Sequence, residues 1–85
     1  MEPWKIVLNE DAFHFFAASR ASERRRLLMA FEELRNNPYR KSDYTSKDIT
    51  GRELTAWPKM PFLITYWLDA FVSEVRIVNI QKIRF

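Results

Sequence analysis

The sequence predicts one α+β domain in the order β-α-α-β-β-β, a helical hairpin packed on a twisted antiparallel sheet. Three observations predict it. Residues 4–8 alternate in period two, two helical patterns follow in close succession, and from Arg52 onward apolar runs are separated by turn chemistry. At 85 residues the chain lies below the roughly 100 to 200 residues usual per domain, so residues 1–85 form a single unit.

Trp4, Ile6 and Leu8 alternate with Lys5, Val7 and Asn9, which suits a first strand over 4–8 with one face more buried than the other. Asn9 can cap a helix, and Glu10 and Asp11 then face the positive end of its dipole. Ala12, Phe13, Phe15, Phe16, Ala17 and Ala18 make this helix apolar nearly all round, predicting packing on more than one side. After a break at Ser19 to Ala21, Ser22 is the expected cap of a second helix. Its apolar set is Leu27, Leu28, Phe31 and Leu34, and Asn36, Asn37 and Pro38 end it. With so short a connection the two helices bury their stripes only against each other and a common sheet.

Residues 39–51 are polar and aperiodic, predicting a connecting loop long enough to be functional, with Gly51 the one residue free of the steric penalty on positive φ. Arg52 to Trp57 reads as strand two, Pro58-Lys59-Met60-Pro61 as its turn and Phe62 to Leu68 as strand three. A turn at Asp69-Ala70-Phe71 leads into strand four, Val72 to Ile80. Strand three is apolar on both faces and suits a central position, with the first strand joining the meander at an edge. Alternation in strand four puts Glu74, Arg76, Val78 and Ile80 on one side and Val75, Ile77 and Asn79 on the other.

Composition narrows the chemistry. The chain has no cysteine, which excludes a disulfide framework, a thiolate zinc site and a cysteine nucleophile, and suits a reducing cytoplasm. No stretch approaches the ~20 apolar residues that cross a bilayer, and the start Met1-Glu2-Pro3-Trp4-Lys5 lacks a basic region followed by an apolar one. A soluble, untargeted, cytoplasmic protein without membrane partners is expected. The net charge of +3 is uneven: from Arg20 to Lys41 there are seven basic and three acidic residues, against seven and eight elsewhere. That excess, with Arg24, Arg25 and Arg26 in a row, can meet phosphates or an acidic partner, or simply form a solvated helix face. A domain this small is marginal alone, and a partner or a homodimer would stabilise it.

There is no Gly-rich phosphate loop, no HExxH and no Ser/His/Asp signature. His14, the only histidine, is flanked by Phe13, Phe15 and Phe16 and reads as structural; a lone imidazole makes no metal site, and no cofactor is implied. The acid pairs Glu10/Asp11 and Glu32/Glu33 are explained by dipole complementarity or solvation. What remains is a basic set on or beside the sheet: Arg52, Lys59, Arg76, Lys82 and Arg84, with Lys47 in the loop. Metal-independent RNA cleavage requires activation of a 2′-hydroxyl, charge stabilisation at phosphate and protonation of the leaving oxygen. Arginine and lysine supply the second role, and Glu53 or Tyr66 are candidates for proton transfer. The competing reading is an ordinary solvent face of a half-exposed sheet.

Several local patterns, in order, resemble the RelE/ParE superfamily of toxins from bacterial type II toxin–antitoxin systems. They are Trp4-Lys5-Ile6-Val7-Leu8 before a short helix, Glu23-Arg24-Arg25-Arg26-Leu27-Leu28 running to Leu34-Arg35-Asn36-Asn37-Pro38, Asp48-Ile49-Thr50-Gly51-Arg52, Phe62-Leu63-Ile64-Thr65-Tyr66-Trp67 and Glu74-Val75-Arg76-Ile77-Val78-Asn79-Ile80. The resemblance covers nearly all of 4–82. It implies a compact growth-inhibiting toxin wrapped by a cognate antitoxin. One branch acts as an endoribonuclease on mRNA at the ribosome; the other poisons DNA gyrase by protein contact.

Aligned on Tyr66, Leu63 stands where the ribonuclease branch commonly has an arginine. Near the other end, Gln81-Lys82-Ile83-Arg84-Phe85 stands where that branch often has a basic residue followed shortly by tyrosine or a histidine-tyrosine pair. Arg84 can stand in as a phosphate ligand and weak catalytic candidate, but Phe85 has no exchangeable side-chain proton. Donor and base are therefore unassigned, and whether the chain is an enzyme stays open; a catalytically inactive RNA- or protein-binding member is the alternative. Arg24, Arg25 and Arg35 on helix two are the residues the resemblance offers to an acidic antitoxin tail.

Overall fold

The computed structural model describes residues 3–39 and 44–84. Its elements are β1 (Lys5–Leu8), α1 (Glu10–Ala18), α2 (Ala21–Asn36), β2 (Tyr44–Lys47), β3 (Glu53–Lys59), β4 (Phe62–Asp69) and β5 (Glu74–Lys82). The sheet order is β1-β5-β4-β3-β2. The expected α+β layering is present, with β4 in the central place and β1 at an edge. The sheet is mixed, because β1 runs parallel to β5 while the other pairs are antiparallel.

Asn9 caps α1 as expected, its side-chain oxygen accepting from the Ala12 N–H at 2.8 Å. The cap of α2 is Arg20, not Ser22, which lies in the first turn. The Arg20 N–H donates to the Glu23 carboxylate at 3.2 Å, so the third helical residue closes the turn from inside. Between the helices the Ser19 hydroxyl donates to the Phe15 carbonyl at 2.7 Å, and Arg24 donates to the Ser19 carbonyl. These bonds satisfy the carbonyls left open where α1 stops.

One face of the sheet carries Trp57, Phe62, Ile64, Tyr66, Val75, Ile77 and Ile80, and the helices close over it with Ala12, Leu27, Ala30, Phe31 and Leu34. The α2 set follows the i, i+3, i+4, i+7 spacing of a single buried stripe. Phe15 meets Phe62 edge to face at 6.1 Å, and Phe16 lies 6.1 Å from Phe31. Leu28, expected in the stripe, is one position off it and exposed. Helix α1 is packed on one side only: Ala12 is buried, Phe15 and Phe16 are half-buried, and Phe13 and His14 face outward. Apolar composition misled here because nine residues offer only one face to a sheet.

The expected loop 39–51 contains strand β2. Its residues Tyr-Thr-Ser-Lys have no apolar alternation because an edge strand held by backbone bonds to β3 needs none. Asp48 closes the β2–β3 turn. Its Oδ1 accepts from the Thr50 N–H at 2.9 Å, the Thr50 hydroxyl at 2.6 Å and the Arg52 N–H at 3.0 Å. Gly51 takes φ +84°, the left-handed conformation expected of it. Strand β3 runs on through Pro58 and Lys59, so the turn is only Met60-Pro61, with a cis bond between them. Strand β5 begins at Glu74 rather than Val72, and Ser73 takes φ 54° in the turn before it. Thr65 pairs with Asn79 and Tyr66 with Ile77, leaving Val78 as an extra residue. That bulge moves Ile80 to the same buried face as Val75 and Ile77, correcting the strict alternation.

Candidate functional site

The face of the sheet turned away from the helices carries the alternate residues. Along β4 these are Leu63, Thr65, Trp67 and Asp69, paired with Gln81, Asn79, Arg76 and Glu74 of β5. Across β3, β4 and β5, Arg76 is the one basic residue of this face. Arg52, just before β3, reaches it from the turn and places its guanidinium 3.9 Å from the Trp67 ring centroid; Arg76 lies 5.5 Å from the same ring. Two cations therefore share one indole.

Acids surround both. Arg76 Nη2 is 2.6 Å from Glu74 and its Nε 3.4 Å from Asp69. The Arg76 Nε and Glu74 Oε1 atoms are sequestered from solvent without an aligned hydrogen bond, so this contact is held by charge rather than by directed bonding. Arg52 Nη1 is 3.9 Å from Asp48. The Asp48 carboxyl sits below its ordinary range, chiefly because the Thr50 hydroxyl donates to it, with the Arg52 and Thr50 amides assisting. Beside this group opens a pocket of about 300 Å³ lined by Tyr39, Arg52, Glu53, Thr55, Trp67 and Leu68. Tyr39 is set perpendicular to Trp4 at 5.6 Å, which steadies that wall.

The basic set predicted from the sequence is divided. Arg52 and Arg76 come together, with Glu53 in the adjoining pocket. Lys59 and Lys82 belong to the helix-covered side: Lys59 Nζ lies 2.7 Å from Glu33 and Lys82 is bonded to Glu23, both on α2. The Lys82 bond, followed by the Arg20 amide, lowers the Glu23 pKa. Arg84 is exposed beyond the far end of β5. Lys82 alone is six residues from Arg76, or about 20 Å along a strand rising ~3.3 Å per residue. Tyr66 is buried in the core with no access to the open face, which removes it as a proton-transfer group there. Leu63, flanked by Pro58 and Gln81, holds a place on the open face without adding a charge. Phe85 lies outside the described residues. Lys47 is exposed on β2 opposite Glu53.

On α2, Arg35 is paired with Glu32 at 2.6 Å, which lowers the glutamate pKa and raises that of the arginine, and Arg24 is committed to the helix junction. Arg25 is exposed. Sequence reasoning missed Trp67, Tyr39, Thr55 and Leu68 as site residues. The period-two position of Trp67 beside Tyr66 was the available signal, but alternation does not say which face the helices cover. Among the described residues no group of three or more His, Asp or Glu side chains is placed to hold a metal ion, and no helix is long and apolar enough to cross a membrane.

No protein-family model and no curated protein matches the sequence. A solved structure does: a chain of the archaeal RelE–RelB complex from Pyrococcus horikoshii OT3 is similar with a TM-score of 0.73 over 95% of this chain and 96% of that one, at 10% identity. So low an identity carries architecture alone. Two helices on one face of a five-stranded mixed sheet, in this order and over the full span, are the RelE-like fold, and this chain has it.

Proposed function

We propose that this chain is the toxin of a type II toxin–antitoxin pair, that it arrests growth by gripping a protein target of the DNA gyrase kind, and that a bound antitoxin relieves the arrest. The toxin assignment draws on the likeness to a chain of a RelE–RelB complex. The mode of action draws on one observation: the sheet cations are matched to carboxylates instead of converging on an open phosphate site. Lys59 and Lys82 face α2 acids, Arg76 faces Asp69 and Glu74, and Arg84 stands at the opposite end from the Arg52–Trp67–Arg76 group. Phosphoryl cleavage without metal needs convergent charge and a placed acid and base, and Tyr66 is buried. A protein interface instead favours a half-buried tryptophan flanked by arginines.

The test is controlled expression with and without the neighbouring open reading frame. Growth arrest relieved by that neighbour, supercoiling by gyrase inhibited, and cellular RNA intact is the expected pattern. Ribosome-dependent mRNA cleavage that disappears in Arg84→Ala would replace the protein-contact mode with the endoribonuclease one. Absence of both arrest and complex formation would leave a non-toxic binding module that only shares the fold.

A further inference from the structure

The register places two turns at the same end of the sheet. Thr55 pairs with Tyr66, so the entry to β3 adjoins the exit of β4, and the β2–β3 turn lies beside the β4–β5 turn. Each turn presents an apolar side chain fully to solvent, Ile49 on the first and Phe71 on the second, with Val72 more than half exposed next to Phe71. The pocket walled by Tyr39, Trp67 and Leu68 opens at this same end. Large apolar groups left wholly outside on adjoining turns mark an interaction surface.

The charges here cancel. Lys47 lies opposite Glu53 and Lys5 opposite Glu74 in register, Arg52 stands by Asp48, and Arg76 stands by Asp69 and Glu74. Among the described residues, four basic and four acidic side chains balance at this end, in a molecule of net charge +3. A strongly charged partner gains nothing from it. It is also the end at which two copies of a cationic chain approach without repulsion.

We propose that this end is a self-association surface, in which Phe71 of each copy enters the Trp67–Tyr39 pocket of the other. Ring and pocket are complementary apolar features of the same patch, which is what a two-fold interface requires. Phe71 stands three positions after Leu68, in the turn that follows β4, within the ~10 Å that so short a segment can span, so one axis passing between them seats both rings. A patch confined to one end of a molecule measuring 33 × 29 × 24 Å is smaller than the ~800 Å² per partner of a standard interface. The dimer is therefore weak and concentration-dependent.

Sedimentation velocity of the full chain over a wide concentration range tests this. A monomer–dimer equilibrium that salt leaves unchanged is expected, weakened about a hundredfold by Phe71→Ser, since two rings are lost per dimer. Because Phe71 touches no core residue, unchanged circular dichroism shows that the variant folds. Phe71→p-benzoylphenylalanine should photo-cross-link to a second chain at the peptides bearing Tyr39 or Trp67. A monomer at millimolar concentration, a cross-link within one chain, or one formed only with a different protein would overturn the proposal. None of these outcomes depends on whether the chain is toxic.

Discussion

Asp48 holds three donors and a turn with one carboxylate, and Gly51 completes that turn at a φ of +84°. A Cβ at Gly51 would meet nothing within 4 Å, so Gly51→Ala costs strain without a clash. The expected loss is about 1 kcal/mol, read by denaturant unfolding. In the core, Leu27→Ala removes a fully buried side chain between α2 and the sheet, and should cost about 2–5 kcal/mol in the same measurement. Arg52→Ala uncovers one face of Trp67. Tryptophan emission should change while the melting temperature falls by only a few degrees, since an exposed cation–π contact contributes ~0.5–1 kcal/mol. Arg52, Glu53 and Arg76 were legible as surface charges on or beside the sheet, because charged side chains there point to function or solvent. Trp67 was not, because an indole in an apolar run reads equally as core until the covered face is known.

Helix α2 is fastened to the sheet by its acids as well as by its stripe. Glu23 takes Lys82 and Glu33 takes Lys59, and these lysines flank Phe62 in register on β5 and β3. Glu23 titrates below its ordinary value of 4.5, so its folded form binds a proton less readily than its unfolded form. By linkage its contribution is fully present above 4.5 and disappears as the pH falls through the depressed value. Asp48 behaves alike from its ordinary 3.8. From these two groups thermal melts should shift to lower temperature as the pH falls below about 4, and in Glu23→Gln the acid-side fall should be shallower. The same pairings explain what the sequence concealed about elements. The helices and the apolar strands were legible from caps, apolar spacing and turn chemistry, whereas β2 was hidden because it has no apolar face. The Val78 bulge was equally hidden, since a one-residue slip in register leaves no local trace.

At the scale of the whole molecule the layering was readable from the order of periodicities, but the parallel entry of β1 was not, because nothing in residues 5–8 specifies a direction. A domain of this size gains measurably from a partner: the antitoxin proposed for it, present at about 100 times its dissociation constant, should stabilise it by ~2.7 kcal/mol, visible as a higher melting temperature for the complex. The β1–β5 pairing has a further consequence for synthesis. Lys5 pairs with Glu74 and Leu8 with Ile77, so β1 waits for β5 before it has a neighbouring strand. Before that point Ile6 and Leu8 have the helices to pack on but lack Val75 and Ile77 beside them in the sheet. Contacts this distant along the chain also slow folding. During synthesis the outer edge strand β1 thus stays without a partner in the sheet until β5 has emerged.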